Sequence, residues 1–142
     1  MTKENNSILV FEYFTASGEN DKCIISEAEA LIISLLDDLK EFDVSLVINE
    51  SYKNIAEGYD NVNAISINQD VVSWLKDNAG NFNKAIFISA ENDNNLYNIT
   101  KILEENDVKI YNSSSEACLV ASDKYETYEA LPSDIPQPRS FK

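Results

Sequence analysis

Residues 7 to 39 read SILVFEYFTASGENDKCIISEAEALIISLLDDL. Ser7-Ile8-Leu9-Val10-Phe11 is an apolar run without alternation, the pattern of a strand covered on both faces. Thr15-Ala16-Ser17-Gly18 follows as a small-residue loop extending to Ile25, and Ser26-Glu27-Ala28-Glu29 has the capping-box pattern of a helix start. Leu31, Ile32, Leu35, Leu36, Leu39 and Phe42 then recur at helical spacing, with Asp37, Asp38, Lys40 and Glu41 on the other side. A covered strand, a loop and an amphipathic helix are the first two-thirds of a βαβ unit.

The alternation repeats downstream. Val44 to Ile48 is predicted as a second strand, Tyr52 to Gly58 as a short helix, and Ala64 to Ile67 as a third strand. Asp70 can cap a helix that carries Val71, Trp74 and Leu75 on one face, with Trp74 assigned to the core. Asn78 to Asn81 supplies turn chemistry, and Ala85 to Ser89 reads as the fourth strand. Leu96, Ile99, Ile102 and Leu103 form the apolar face of the next helix, with Asn94 or Asn95 as its cap. Val108 to Tyr111 is the fifth strand, and Ser113-Ser114-Ser115-Glu116 a second capping box opening a helix through Val120. Five strand–helix alternations with short connections predict an α/β fold: a doubly wound, mainly parallel five-stranded sheet with helices on both faces, Rossmann-like.

The character changes after Ser122. Residues 123 to 131 can form one more helix, capped by Asp123, whose Tyr125 and Tyr128 are expected to pack on the preceding domain. Pro132, Pro136 and Pro138 then fall within seven residues, a density that makes an extended linker. The expected division is a domain at 1–122 and a linker helix with a proline-rich segment at 123–142.

Composition narrows the function. There are 11 Lys and Arg against 25 Asp and Glu, a net charge of −14. That balance excludes the basic surface that non-specific nucleic-acid binding and anionic membranes require. With no histidine, the chain lacks the commonest metal ligand and every Ser-His-Asp or Cys-His site. Cys23 and Cys118 have no metal-binding spacing. The first six residues are polar and no apolar run reaches membrane-spanning length, so a cytoplasmic protein with reduced thiols is expected.

Ligands of open α/β sheets bind beyond the carboxyl ends of the strands, where strand order reverses. The loop after the first strand lies at that edge, but a dinucleotide fingerprint and a P-loop both fail there, since Gly18 is its only glycine. Thr15-Ala16-Ser17-Gly18-Glu19-Asn20 is similar to the flavodoxin loop that wraps an FMN phosphate, although Glu19 and Asp21 would repel an anion. Glu12 is a carboxylate at the end of an apolar strand, where it needs a partner or a raised pKa. Glu91 to Asn95 resembles a calcium loop only in composition, and no metal ligand is assigned.

Residues 112 to 131, NSSSEACLVASDKYETYEAL, resemble the segment that joins the N-terminal domain to the ATP-binding domain in ATP-grasp ligases. In that family an Asp-Lys pair opens a new helix, as Asp123-Lys124 does here, and a proline-containing stretch leads into the ATP-grasp module. Pro138 to Lys142 looks like its beginning. Leu9-Val10-Phe11-Glu12-Tyr13 with its small-residue loop is similar to an archaeal branch of the family, the tyramine–glutamate ligase-like proteins of methanofuran biosynthesis. The resemblance implies a pre-ATP-grasp domain, with ATP and Mg²⁺ as cofactors and small carboxylate and amine substrates as partners. It assigns Lys124 to the nucleotide phosphates, as a mobile point charge. It turns Thr15, Ser17, Gly18, Glu91 and Asn92 toward the substrate, and Glu12, as a carboxylate ending an apolar strand, is counted with them as substrate-facing.

The same resemblance places the second ATP lysine, the adenine pocket and the metal ligands downstream, in a further domain. The expectation is one wall of a ligase site, inactive alone and with no catalytic residue of its own. The alternatives are a flavodoxin-like FMN-binding domain and a non-catalytic interaction domain.

Overall fold

The apolar run at residues 8–11 forms the centre of β1 (Asn5–Glu12) in a computed structural model that describes residues 5–139. Ser140, Phe141 and Lys142, where the start of a further module is expected, lie outside the described residues. β1 is followed by α1 (Tyr13–Ser17), α2 (Lys22–Asp38), β2 (Val44–Asn49), a 3-10 segment (Glu50–Ala56) and β3 (Val62–Ile67). Then come α3 (Val71–Asn78), β4 (Phe82–Ile88), α4 (Asn95–Glu105), β5 (Lys109–Ile110), α5 (Ser115–Ala121) and α6 (Lys124–Ala130). The five strands lie in the order β3-β2-β1-β4-β5 and every pairing is parallel. β1 is central, with Val10 opposite Leu46 on one side and Ile86 on the other.

Period-two alternation sorts the strand residues between two cores. Leu9, Phe11, Val47, Ala85 and Phe87 meet Val71 and Leu75 of α3 and Ile99 and Leu103 of α4. Ile8, Val10, Leu46 and Ile48 meet Ile32 and Leu36 of α2 and Ile55 of the 3-10 segment. Both faces are therefore covered, and the sheet is doubly wound as predicted. Trp74 is in the core, tilted against Phe82 at 6.3 Å between ring centroids. Each fully buried Leu, Ile, Val or Phe in these cores contributes about 1.5–3 kcal/mol.

Several element boundaries differ from expectation, and each difference has a local cause. α2 begins at Lys22, because the Asp21 carboxylate accepts from the N–H groups of Cys23 at 2.8 Å and Ile24 at 3.3 Å. The cap lies upstream of Ser26, which sits inside the helix. The segment read as a loop from Thr15 to Ile25 holds the end of α1 and the first turn of α2, with residues 18–21 between them. At the other end α2 stops at Asp38, where Asn61 Nδ2 donates to the carbonyls of Leu39 at 3.0 Å and Phe42 at 2.8 Å. Phe42 is consequently off the helix and exposed.

The second capping box is also differently built. Ser114, not Ser113, caps α5 and accepts from Ala117 N–H at 3.3 Å, which leaves Glu116 out of the box. The carboxylate that meets α5 comes from another element: Glu104 of α4 accepts from Ser115 N–H at 3.0 Å. Asp70 and Asp123 cap α3 and α6 as predicted. α6 is tied to α5 by Thr127 Oγ1, which donates to Val120 O at 3.0 Å and Asp123 O at 2.8 Å. Tyr125 and Tyr128 stack on each other at 6.5 Å, and residues 132–139 carry no helix or strand.

Candidate functional site

Strand order reverses at the pair β1 and β4, since β2 and β3 run off to one side of β1 and β4 and β5 to the other. A cavity of about 400 Å³ opens at the carboxyl ends of those two strands, where open α/β sheets receive ligands. Phe14, Ile24, Ala28, Leu31 and Ile88 give it apolar walls. Glu12, Glu27, Ser89 and Asn92 supply its polar lining, and among the described residues no Lys or Arg lines it. Leu31, expected to be buried on the core stripe of α2, is 42% exposed here and faces this space.

The turn after β1 is built around one carboxylate. Glu12 is only 2% exposed. It accepts from Phe14 N–H at 3.1 Å, from Thr15 N–H at 2.8 Å and from the Thr15 hydroxyl at 3.0 Å. A negative group at a helix N-terminus is favoured by the orphan N–H donors there. The chain's own carboxylate thus occupies the donors that a phosphate in the flavodoxin manner would use. Downstream, Gly18 (φ +78°) closes α1, with its N–H and that of Glu19 both bonded to Phe14 O at 3.0 Å. A Cβ at Gly18 would stand 2.7 Å from Asn49 Nδ2, so this glycine meets both a left-handed turn and a close approach by the end of β2.

The predicted site residues are therefore divided. Glu12 and Asn92 line the cavity, whereas Thr15, Ser17, Gly18 and Glu91 do not. Thr15 is buried against Glu12. Ser17 Oγ is buried without a well-formed hydrogen bond, with the Tyr13 phenol as its polar neighbour. Glu91 lines a smaller hollow of about 180 Å³ with Leu96, Asn112 and Cys118. Lys124 is exposed in the first turn of α6. Among the described residues, ion pairs join Lys40 to Asp37 and Lys53 to Glu50, both at the surface.

Asp93 (φ 55°) and Asn94 (φ 58°) are both left-handed, beside Asn92 at the cavity edge. Asp and Asn tolerate that sparsely populated conformation better than other side-chain-bearing residues. Asn94 precedes α4 but makes no side-chain cap. Cys23 and Cys118 are both free thiols. Among the described residues no group of three or more Cys, Asp or Glu side chains could hold a metal ion, and no helix is long and apolar enough to cross a membrane.

Sequence reasoning missed Ile24, Glu27, Ala28, Leu31 and Ile88 as cavity residues. The available signal was an apolar excess on α2. Ile24, Leu31 and Ile33 add to the buried row Ala28, Ile32 and Leu36 and make it wider than one sheet face can cover.

A doubly wound parallel sheet with a cleft at its switch point defines a Rossmann-like α/β domain. An Archaeoglobus fulgidus crystal structure described as an ATP-grasp superfamily protein has this fold, with a TM-score of 0.74 and 21% identity over 95% of this chain and 42% of that one. No family model matches the sequence. The tyramine–L-glutamate ligase of Methanocaldococcus fervens is 35% identical over 140 residues, 95% of this chain and 48% of that protein. That of Methanocaldococcus jannaschii is 35% identical over 143 residues, 94% of this chain and 45% of that protein. The chain is similar over nearly its whole length to part of the tyramine–L-glutamate ligases. It spans about half the length of the curated relatives it matches.

Proposed function

We propose that this chain is the N-terminal part of a cytoplasmic ATP-grasp carboxylate–amine ligase and forms one wall of its substrate site. The observation that carries the reading is the cavity at the switch point of a sheet whose sequence is 35% identical to tyramine–L-glutamate ligases. In such a reaction ATP converts a carboxylate to an acyl phosphate, and an amine displaces the phosphate to form an amide. Positioning of the two reactants is a large part of the rate enhancement in such a step.

The chain's own residues supply walls and one candidate cation. Lys124, after the Asp123 cap, is proposed to reach the nucleotide phosphates from the start of α6. ATP and Mg²⁺ would be held mainly by a further domain of the same polypeptide, corresponding to the half of the relatives that this chain does not span. The boundary between the two is proposed near residue 122. Glu12 acts by fixing the turn after β1, and Asn92 by presenting an amide at the cavity rim.

The test is an assay of the gene product carrying this chain with ATP, Mg²⁺, tyramine and L-glutamate. Release of phosphate that requires both substrates, with an amide product detected by mass, supports the reading. Phosphate release and product should both fall at least tenfold in Lys124→Ala. Absence of the amide product overturns the reading, and the 142-residue chain alone is expected to release no phosphate.

A further inference from the structure

We infer that the chain pairs with a second copy of itself across the open half of its sheet, β4 and β5 of one copy lying against the α2 flank of the other. The inference is independent of the ligase reading and starts from uneven cover. On the α2 side of the sheet Val10 and Leu46 are fully buried. Lys84 is the register partner of both Ile8 and Lys109, so β4 and β5 present Lys84, Ile86, Lys109 and Tyr111 on this same face. There Lys84 and Ile86 are half-buried, and Lys109 and Tyr111 are exposed. α3 and α4 lie on the opposite face, and α5 packs on α4, so among the described residues no helix covers this strip. Phe42 and Tyr111, 53% and 52% exposed, border one hollow of about 240 Å³ with Ile8, Lys84, Glu41 and Asp43. Two such rings beside Ile86 make an apolar patch of the kind that marks an interaction surface.

The charges select the occupant. Two copies with net charge −14 repel each other, so they can meet only where the charge is locally balanced. Lys84 and Lys109 supply positive charge on the strip, and among the described residues neither is in an ion pair. Lys109 Nζ stands 5.3 Å from the centroid of the Tyr111 ring. The matching acids are on the neighbouring helix. Asp38 is two turns on from the cleft residue Leu31 and so on the flank of α2 that faces β4. Glu41 borders the hollow. A crossover helix runs antiparallel to its strands, which sets Asp38 and Glu41 level with Lys84 and Lys109 at the starts of β4 and β5. A two-fold axis parallel to the strands, between two α2 helices, then lays each α2 over the other copy's β4 and β5. Asp38 and Glu41 meet Lys84 and Lys109, Phe42 meets Tyr111, and each contact is made twice, as an isologous interface requires.

The experiment is sedimentation velocity over a concentration series of the gene product carrying this chain, which should sediment as a dimer. Phe42→Ser, Lys109→Glu and Asp38→Lys change exposed residues. Each should raise the dimer dissociation constant about tenfold or more, as lost apolar contact or like charges across an interface imply, with far-UV circular dichroism unchanged. An equimolar mixture of Lys109→Glu and Asp38→Lys should recover the parent's dimer, because the mixed pair sets unlike charges together on both sides of the axis. A mixture that stays monomeric overturns the inference, since the acids of one copy then do not meet the lysines of the other. A dimer indifferent to all three substitutions also overturns it, because pairing then uses another surface. A monomeric parent overturns it as well, and Phe42 and Tyr111 shielded from solvent in that monomer would give the face to another part of the polypeptide.

Discussion

Thr15 donates both its backbone N–H, at 2.8 Å, and its hydroxyl, at 3.0 Å, to the same oxygen of Glu12. The end of the central strand therefore caps the helix that follows it, and the cleft beside it inherits a fixed carboxylate. Replacing Glu12 by Ala leaves the N–H groups of Phe14 and Thr15 without their acceptor, while the Thr15 hydroxyl keeps the carbonyl of residue 12 at 3.1 Å, at a cost of about 1–3 kcal/mol. Glu12→Gln should fall between, since an amide keeps one acceptor but turns a donor toward the second N–H. Urea denaturation measures both, and an alanine variant within 0.5 kcal/mol of the parent would contradict this role.

Phe11 and Phe87 are register partners on β1 and β4 and stack at 5.1 Å with 9° between ring planes. Phe11→Ala should destabilise the chain by about 3–5 kcal/mol. A double-mutant cycle with Phe87→Ala should show coupling of about 0.5–1.5 kcal/mol from the aromatic pair. Strict additivity would mean that the rings act only through buried area.

Gly18→Ala introduces a Cβ into a left-handed turn and into the Asn49 side chain. The backbone part costs about 1–2 kcal/mol. In an Asn49→Ala background the steric part disappears, so the glycine substitution should cost measurably less there. An equal cost in both backgrounds would assign the whole effect to the backbone.

The Tyr13 phenol has its pKa raised, first by burial and then by the negative charge of Asp70. An acid whose folded-state pKa lies above its unfolded value contributes stability below the unfolded pKa, about 10 for tyrosine. That contribution is lost as pH rises through the folded value. Stability should thus decline more steeply above pH 10 in the parent than in Tyr13→Phe, as followed by denaturant titrations between pH 8 and 11. Parallel slopes would show that Tyr13 ionises alike in both states. Tyr59, raised first by burial and then by Asp37, remains in both proteins and sets a common background.

The sheet and its order of elements were legible because the apolar runs at 8–11, 44–48 and 85–88 are covered on both faces. They are separated by α2 and α3, and the start of α3 is capped at Asp70 as predicted. The start of α2 was not, because two caps compete within five residues and only the folded turn shows that Asp21 prevails over Ser26. The closing of α5 by Glu104 joins residues eleven apart on different elements, and no spacing rule reports it. Of the candidate site, Glu12 was legible as a carboxylate ending an apolar strand, and Asn92 through its position after the fourth strand. Leu31 and Ile24 were not separable from core residues, since periodicity marks a residue as apolar and does not say what covers it. β5 is also shorter than its apolar run: Asn112 takes over part of its pairing, with Nδ2 donating to Phe87 O at 2.9 Å.

The central claim, that the switch-point cleft is a wall of a ligase substrate site, is tested most directly by placing an arginine in it where the fold can bear the change. Leu31 lines the cleft and is 42% exposed, so Leu31→Arg should leave stability within about 1 kcal/mol of the parent, as surface substitutions do. In the gene product carrying this chain, steady-state kinetics of ligation should then show KM for tyramine raised at least tenfold, with KM for ATP unchanged. An unchanged KM for tyramine in a stably folded Leu31→Arg variant would contradict the account.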